Sequence, residues 1–169
     1  MFPSMITNHN AALILDGAYL IWLVPEVVYS FTRKVGVNAK KANDGHSGAV
    51  LVACIWTGIF SAQTFARSEV RFSIVRQPEV VFALGILVMI LGVIFRWYAI
   101  QILGKYFTFQ IATQPGQVIV ENGPYRLIRH PSYTGTLITM FGLGLVSANW
   151  LSLIGLLAAG FIGYSYRAH

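Results

Sequence analysis

The stretch of this chain richest in chemistry is Gly123-Pro124-Tyr125-Arg126-Leu127-Ile128-Arg129-His130-Pro131-Ser132-Tyr133-Thr134-Gly135. It gathers two arginines, two tyrosines, a histidine and two prolines directly ahead of a hydrophobic run. Pro131 suits the first turn of a helix, where its missing N–H is no loss. His130 then falls at that helix's N-terminus, beside backbone N–H groups that favour an anion. Tyr125 and Tyr133 are placed to flank a planar ring. Together these groups suit a ligand carrying a carboxylate, hydroxyls and an aromatic base. Interfacial tyrosines and arginines also serve as plain membrane anchors, and a histidine near a helix start is usually only solvated. The residues by themselves leave anchor and binding site both open.

A built segment precedes this stretch. Phe107-Thr108-Phe109-Gln110-Ile111 alternates in polarity as a half-buried strand does. Gln114-Pro115-Gly116-Gln117 carries the proline and glycine of a type II turn. Val118-Ile119-Val120 returns as a second short strand, closed by Asn122-Gly123-Pro124. A small hairpin against a membrane face is the expectation.

Composition says what must position these groups. The 169 residues are 56% hydrophobic and 11% charged, with a mean hydropathy of +0.63, where a soluble domain carries about 25% charge. A water-soluble core of this size cannot hide so much apolar surface, so the reading is an all-α integral membrane protein forming a single domain over residues 1–169. Five membrane segments are expected, at about 11–31, 48–66, 79–98, 133–147 and 150–166, with the polar segment 104–133 between the third and fourth. The last two are short and separated by Ala148 and Asn149, a helical hairpin. Gly142 and Gly144, then Gly155, Ala159 and Gly163, offer small surfaces for close packing.

The net charge of +6 is spread between apolar runs, which fits a topology signal better than a nucleic-acid face. Arg33, Lys34, Lys40, Lys41, Lys105, Arg126, Arg129 and Arg167 fall on one side; Arg67, Arg71 and Arg76 fall on the other. That bias puts the N-terminus outside, and the C-terminus and the 104–133 segment in the cytoplasm. With the first basic residue at Arg33, the first run lacks the n-region of a cleavable signal and is expected to stay in the mature protein. Asp16, Glu26 and Arg96 lie inside the spans; the favoured reading is that they snorkel to the interface. Pro25 is read as a kink. Cys54 stands alone, and no Cys or His cluster suggests a metal.

The Gly123–Gly135 stretch, with Leu103-Gly104-Lys105 and the hairpin before it, resembles the isoprenylcysteine carboxyl methyltransferase family of membrane enzymes. The resemblance is close over roughly the C-terminal third, and the first two spans match only in being hydrophobic. Arg129-His130-Pro131-Ser132-Tyr133 is shared with membrane methyltransferases of phospholipid amines, and more loosely with some membrane reductases. The resemblance implies S-adenosylmethionine (SAM) bound between the cytoplasmic segment and the last helices, with lipid substrate entering from the bilayer. By motif, SAM contacts fall on Gln110, Gln117, Val118, Ile119, Val120, Tyr125, His130, Pro131, Ser132 and Tyr133, and Arg167 falls near the substrate carboxylate. It also implies an acidic residue about a turn beyond Arg167. The sequence ends at His169 before that position, so the expectation is a truncated chain, with a short homologue carrying an incomplete pocket as the alternative.

The implied reaction moves a methyl group from a sulfonium to a carboxylate oxygen of a lipophilic, isoprenylcysteine-like substrate. A carboxylate is already ionised at neutral pH, so alignment and desolvation carry the catalysis, and Arg167 orients the nucleophile by a paired hydrogen bond. Two alternatives stand beside this one. The first is a phospholipid-amine N-methyltransferase or a nicotinamide-dependent reductase on the same scaffold. The second is a non-catalytic homologue.

Overall fold

The computed structural model describes residues 9–32, 40–41, 47–68, 78–107, 112–113 and 120–168. Five α-helices carry the fold: α1 (His9–Thr32), α2 (Ser47–Ser68), α3 (Pro78–Leu103), α4 (Pro131–Val146) and α5 (Trp150–Ala168). Each coincides with one of the hydrophobic runs in the sequence, and α1 continues unbroken past Pro25. Two 3-10 turns, Gly104–Tyr106 and Gly123–Arg126, lie between α3 and α4.

Helix ends follow local chemistry. Helix α3 opens on Pro78-Glu79, whose carboxylate suits the positive end of the helix dipole. It hands over at Gly104, at φ +54, a left-handed turn that glycine adopts without penalty. Pro131 is the first residue of α4. Between α4 and α5 the chain reverses in three residues: Ala148 is left-handed at φ 45. Asn149 then caps α5, its Oδ1 accepting from the backbone N–H of Leu151 at 2.9 Å and of Ser152 at 3.3 Å. The expected helical hairpin is therefore present.

The expected β-hairpin is not what the described residues contain. Its strands fall mostly on 108–111 and 118–119, outside the described residues. Its described ends, Phe107 and Val120, belong to no strand. The strand pair described is a different one. β1 (Lys40–Lys41) pairs antiparallel with β2 (Ala112–Thr113), Lys40 opposite Thr113. A segment from the α1–α2 connection supplies the backbone partner, a long-range pairing that local alternation does not encode.

The helices meet through glycine. On α3, a Cβ at Gly85 would stand 2.7 Å from Val146 N, and one at Gly92 would press on Thr139. From α4, a Cβ at Gly142 would fall on Met89 N, and one at Gly135 would lie 2.7 Å from Arg96 Cβ. The two backbones thus touch along an antiparallel seam in which dispersion contacts replace side-chain interdigitation. Helices α2 and α5 repeat the device: Gly58 faces Ala159, and Gly163 faces Leu51 and Cys54. Buried Ser152 Oγ donates to Ala62 O at 2.8 Å across that pair. Gly144 against Leu153 closes α4 on α5. The common core takes residues from every helix: Ala18 and Trp22, Ile59 and Ala62, Met89 and Val93, Met140 and Leu143, and Leu156.

The outside is equally apolar. Leu13, Leu20 and Val24 on α1, Trp56 and Phe60 on α2, Leu84, Leu87 and Leu91 on α3, and Phe161 and Ile162 on α5 are all about half exposed or more. Among the described residues α3 alone combines length and hydropathy enough to cross a membrane, over Glu79–Leu103. Shorter apolar runs occupy Leu13–Val24 and Ser47–Ala62. Helix α4, with 16 residues, rises about 24 Å at 1.5 Å per residue.

Two substitutions check this packing. Gly142→Ala is expected to lower thermal stability in detergent by about 1–3 kcal/mol through overpacking against Met89. Gly17→Ala, whose Cβ meets nothing within 4 Å, should leave the melting temperature unchanged or raised. Asn149→Ala is expected to cost about 0.5–2 kcal/mol in the same measurement, through the lost cap.

Candidate functional site

The site assembles where the C-terminal end of α3, the second 3-10 turn, the start of α4 and the end of α5 meet. The turn is placed by Gly123, at φ +57, whose missing side chain lets it pack against Ile102 and Tyr98. Any Cβ there would collide with Ile102. Backbone bonds then close the turn, Tyr125 N to Asn122 O at 3.2 Å and Ile128 N to Pro124 O at 2.9 Å. Tyr125 is left half-buried. An open cavity of about 570 Å³ beside it is lined by Glu121, Asn122, Gly123, Tyr125 and Arg126.

His130 is the residue before α4, with φ −128 and ψ 62, and its side chain makes no cap bond. Its carbonyl instead closes the first turn, accepting from Tyr133 N at 3.1 Å and Thr134 N at 3.2 Å. The imidazole is exposed and stacks on the Tyr133 ring, with centroids 5.2 Å apart and planes 13° from parallel. Tyr133 in turn meets Tyr164 of α5 at 4.5 Å and 34°. The result is a column of three rings running from the surface to the buried Tyr164, a geometry favourable to π-systems. Arg167 lies three residues beyond Tyr164, one turn on along α5 and half-buried.

Arg96 was read from sequence as a snorkelling side chain, and the structure corrects this. It is 7% exposed, and its Nη1 donates to the Ser132 carbonyl at 2.9 Å. The reason is steric: with α4 pressed backbone-to-backbone on α3 at Gly135, the Arg96 side chain is enclosed by the first turn of α4. A buried guanidinium must find acceptors there. Asp16, by contrast, is exposed on α1, and the side chain of Glu26 lies outside the described residues.

Electrostatics tie the parts together. Burial pushes the Tyr125 phenol above its ordinary range, while the Arg96 charge pulls it down and Tyr133 pushes it up. The Arg96 charge, the Tyr125 phenol and the Tyr133 ring thus share one neighbourhood. Aromatic rings with a cation in the same neighbourhood suit a planar, partly charged ligand.

Of the residues expected to contact a cofactor, Tyr125, His130, Pro131, Ser132 and Tyr133 come together here. Pro131 and Ser132 are buried in the α3–α4 contact, so their side chains serve packing. Val120 is half-buried at the approach to the turn. Gln110, Gln117, Val118 and Ile119 lie outside the described residues. Tyr164 was missed, and only an aromatic residue on the inner face of the last helix hinted at it.

Comparison with known proteins gives the kinship. Residues 83–168 match the model of the isoprenylcysteine carboxyl methyltransferase (ICMT) family. Protein-S-isoprenylcysteine O-methyltransferase B of Arabidopsis thaliana is 38% identical over 72 residues, covering 41% of this chain and 36% of the relative. A probable protein-S-isoprenylcysteine O-methyltransferase of Oryza sativa subsp. indica is 33% identical over 72 residues, 41% of this chain and 38% of the relative. The uncharacterized protein YpbQ of Bacillus subtilis is 32% identical over 71 residues, 41% of this chain and 42% of the relative. These matches span less than half the length of each relative. No solved structure matches. The family match takes in α4, α5, the second 3-10 turn and most of α3, the elements that carry the ring column and Arg96, and by it the chain belongs to the isoprenylcysteine carboxyl methyltransferase family.

Proposed function

We propose that the chain is a SAM-dependent methyltransferase of the membrane that esterifies the carboxylate of a lipophilic, isoprenylcysteine-like substrate. Family membership and the names of the plant relatives support the reaction class. The observation that carries the site is the ring column His130–Tyr133–Tyr164, with Tyr125 beside the same head of α4 and a 570 Å³ cavity at its side.

These residues fit such a cofactor. The exposed face of His130 and the half-buried rings of Tyr125 and Tyr133 offer stacking partners and hydrogen-bonding groups for a nucleoside. When bound, SAM supplies an electrophilic methyl carbon on a sulfonium. The chain's own part is to hold the acceptor oxygen in line with that carbon and to exclude water. Arg167 orients the substrate carboxylate by a paired hydrogen bond, leaving it nucleophilic.

The exposed apolar faces of α1, α2, α3 and α5 suit lipid contact. In this reading all five helices form one membrane domain, with the N-terminus outside and the site on the cytoplasmic side, where most Lys and Arg lie. Prenylated or similar lipids would then reach the site laterally from the bilayer.

SAM and its demethylated product should both raise the melting temperature of the detergent-solubilised chain. The stabilisation expected at a hundredfold excess over Kd is about 2.7 kcal/mol; no shift at such concentrations counts against the reading. His130→Ala is expected to abolish SAM binding in the same assay while membrane insertion stays intact. Arg167→Ala should instead leave SAM binding largely in place and lower kcat/KM for a lipophilic carboxylate roughly tenfold to a hundredfold, the worth of a charged hydrogen bond. Equal loss of both activities would contradict that division of roles.

A further inference from the structure

The buried arginine of α3 has no part in the roles assigned so far. We propose that Arg96 is a positioning residue of the ligand site: its guanidinium ties the first turn of α4 to α3 and so sets where Tyr125, His130 and Tyr133 stand relative to one another. The inference rests on the ligand reading given under Proposed function, and it adds to it the residue that organises the pocket.

Three observations carry it. First, the Arg96 Nη1 to Ser132 O bond of 2.9 Å joins positions 36 residues apart, and Ser132 lies between His130 and Tyr133 in sequence. Holding that carbonyl fixes the start of the helix on which two of the three stacked rings sit. Ser132 O also accepts from Thr136 Oγ1 at 3.3 Å, so the carbonyl is polarised from two sides. Second, Gly135 leaves no room for a Cβ against Arg96, whose backbone and Cβ stand within 2.7–2.9 Å of where it would be. The close approach directs the long side chain along the first turn of α4, where a bulkier residue at 135 would push it out. Third, the Arg96 charge acts on the Tyr125 phenol across the gap between α3 and the 3-10 turn.

A planar guanidinium performs this task better than an ammonium. Its rigid fork can hold a carbonyl with one N–H while others face a second group. Burial at the head of the α3–α4 seam removes the water that would otherwise screen it. The groups facing Tyr125 are Arg96 from α3 and Tyr133 from α4, with Tyr98 against the neighbouring Gly123, and Glu121 and Arg126 on the cavity it lines.

The test is a set of Arg96 variants of the full chain in detergent, measured for SAM binding by calorimetry and for Tyr125 ionisation by ultraviolet difference titration. Each titration is referenced to the same variant carrying Tyr125→Phe. Arg96→Met is expected to weaken SAM binding roughly tenfold or more, the worth of a charged hydrogen bond, and to move the Tyr125 phenol titration to higher pH. The sign follows from charge: the guanidinium favours phenolate, so its loss disfavours phenolate. Arg96→Lys should recover much of both effects. Weaker binding with an unmoved phenol would mean that Arg96 is only a packing element, and would overturn the proposal. So would a folded Arg96→Met variant with wild-type affinity. Should Arg96→Met not fold, Arg96→Lys against Arg96→Gln decides: tighter binding by the lysine variant supports the role, and equal binding overturns it. A wild-type chain that takes no SAM defeats the ligand reading, while the phenol titration still decides whether Arg96 governs Tyr125.

Discussion

The close contact of α3 with α4 is the constraint from which the site descends. Gly85 and Gly92 on one helix, and Gly135 and Gly142 on the other, bring the two backbones to a separation that no side chain larger than hydrogen permits. Such a seam holds through dense van der Waals contact over a long stretch of both helices. Its register is unforgiving, because sliding by a turn would drive Met89 or Thr139 into the opposing backbone. The register in turn decides that Arg96 meets the first turn of α4.

From that contact the rest follows in order. A charge enclosed at the end of the seam needs an acceptor, and the Ser132 carbonyl serves as one. Fixing Ser132 sets the start of α4, and with it the ring of Tyr133. The three-residue reversal at Ser147–Asn149, held by the Asn149 cap, returns α5 antiparallel to α4. The return brings Tyr164 beneath Tyr133 at 4.5 Å. Helix α2 closes on α5 through a second glycine seam, and α1 contributes Trp22 to the common core. The site therefore sits at one end of a tightly packed bundle, with its aromatic groups supported from both α3 and α5.

Much of this was legible in the residues. Apolar runs bounded by polar stretches marked the five described helices, with α3 running on to Leu103 past the end of its apolar run. His130-Pro131 marked the start of α4 because proline tolerates the first turn and little beyond it. Small residues in the last two helices marked packing surfaces. The glycines of α2 and α3 that complete those surfaces went unread, because a glycine in an apolar helix does not announce which neighbour approaches it. The pairing of Lys40–Lys41 with Ala112–Thr113 was invisible for a similar reason: a two-residue ladder depends on a partner about 70 positions away, not on local pattern.

The sequence by itself determined the helical segments, the proline start of α4, and the chemical character of the Gly123–Gly135 stretch, because these rest on local rules of propensity and hydropathy. Only the tertiary structure decided that Arg96 is enclosed instead of reaching for the interface, and that Tyr164 completes the ring column. Both depend on which helix lies against which and in what register. Those are set by the sum of many weak contacts across the glycine seams, a quantity distributed over the whole bundle and written in no single motif.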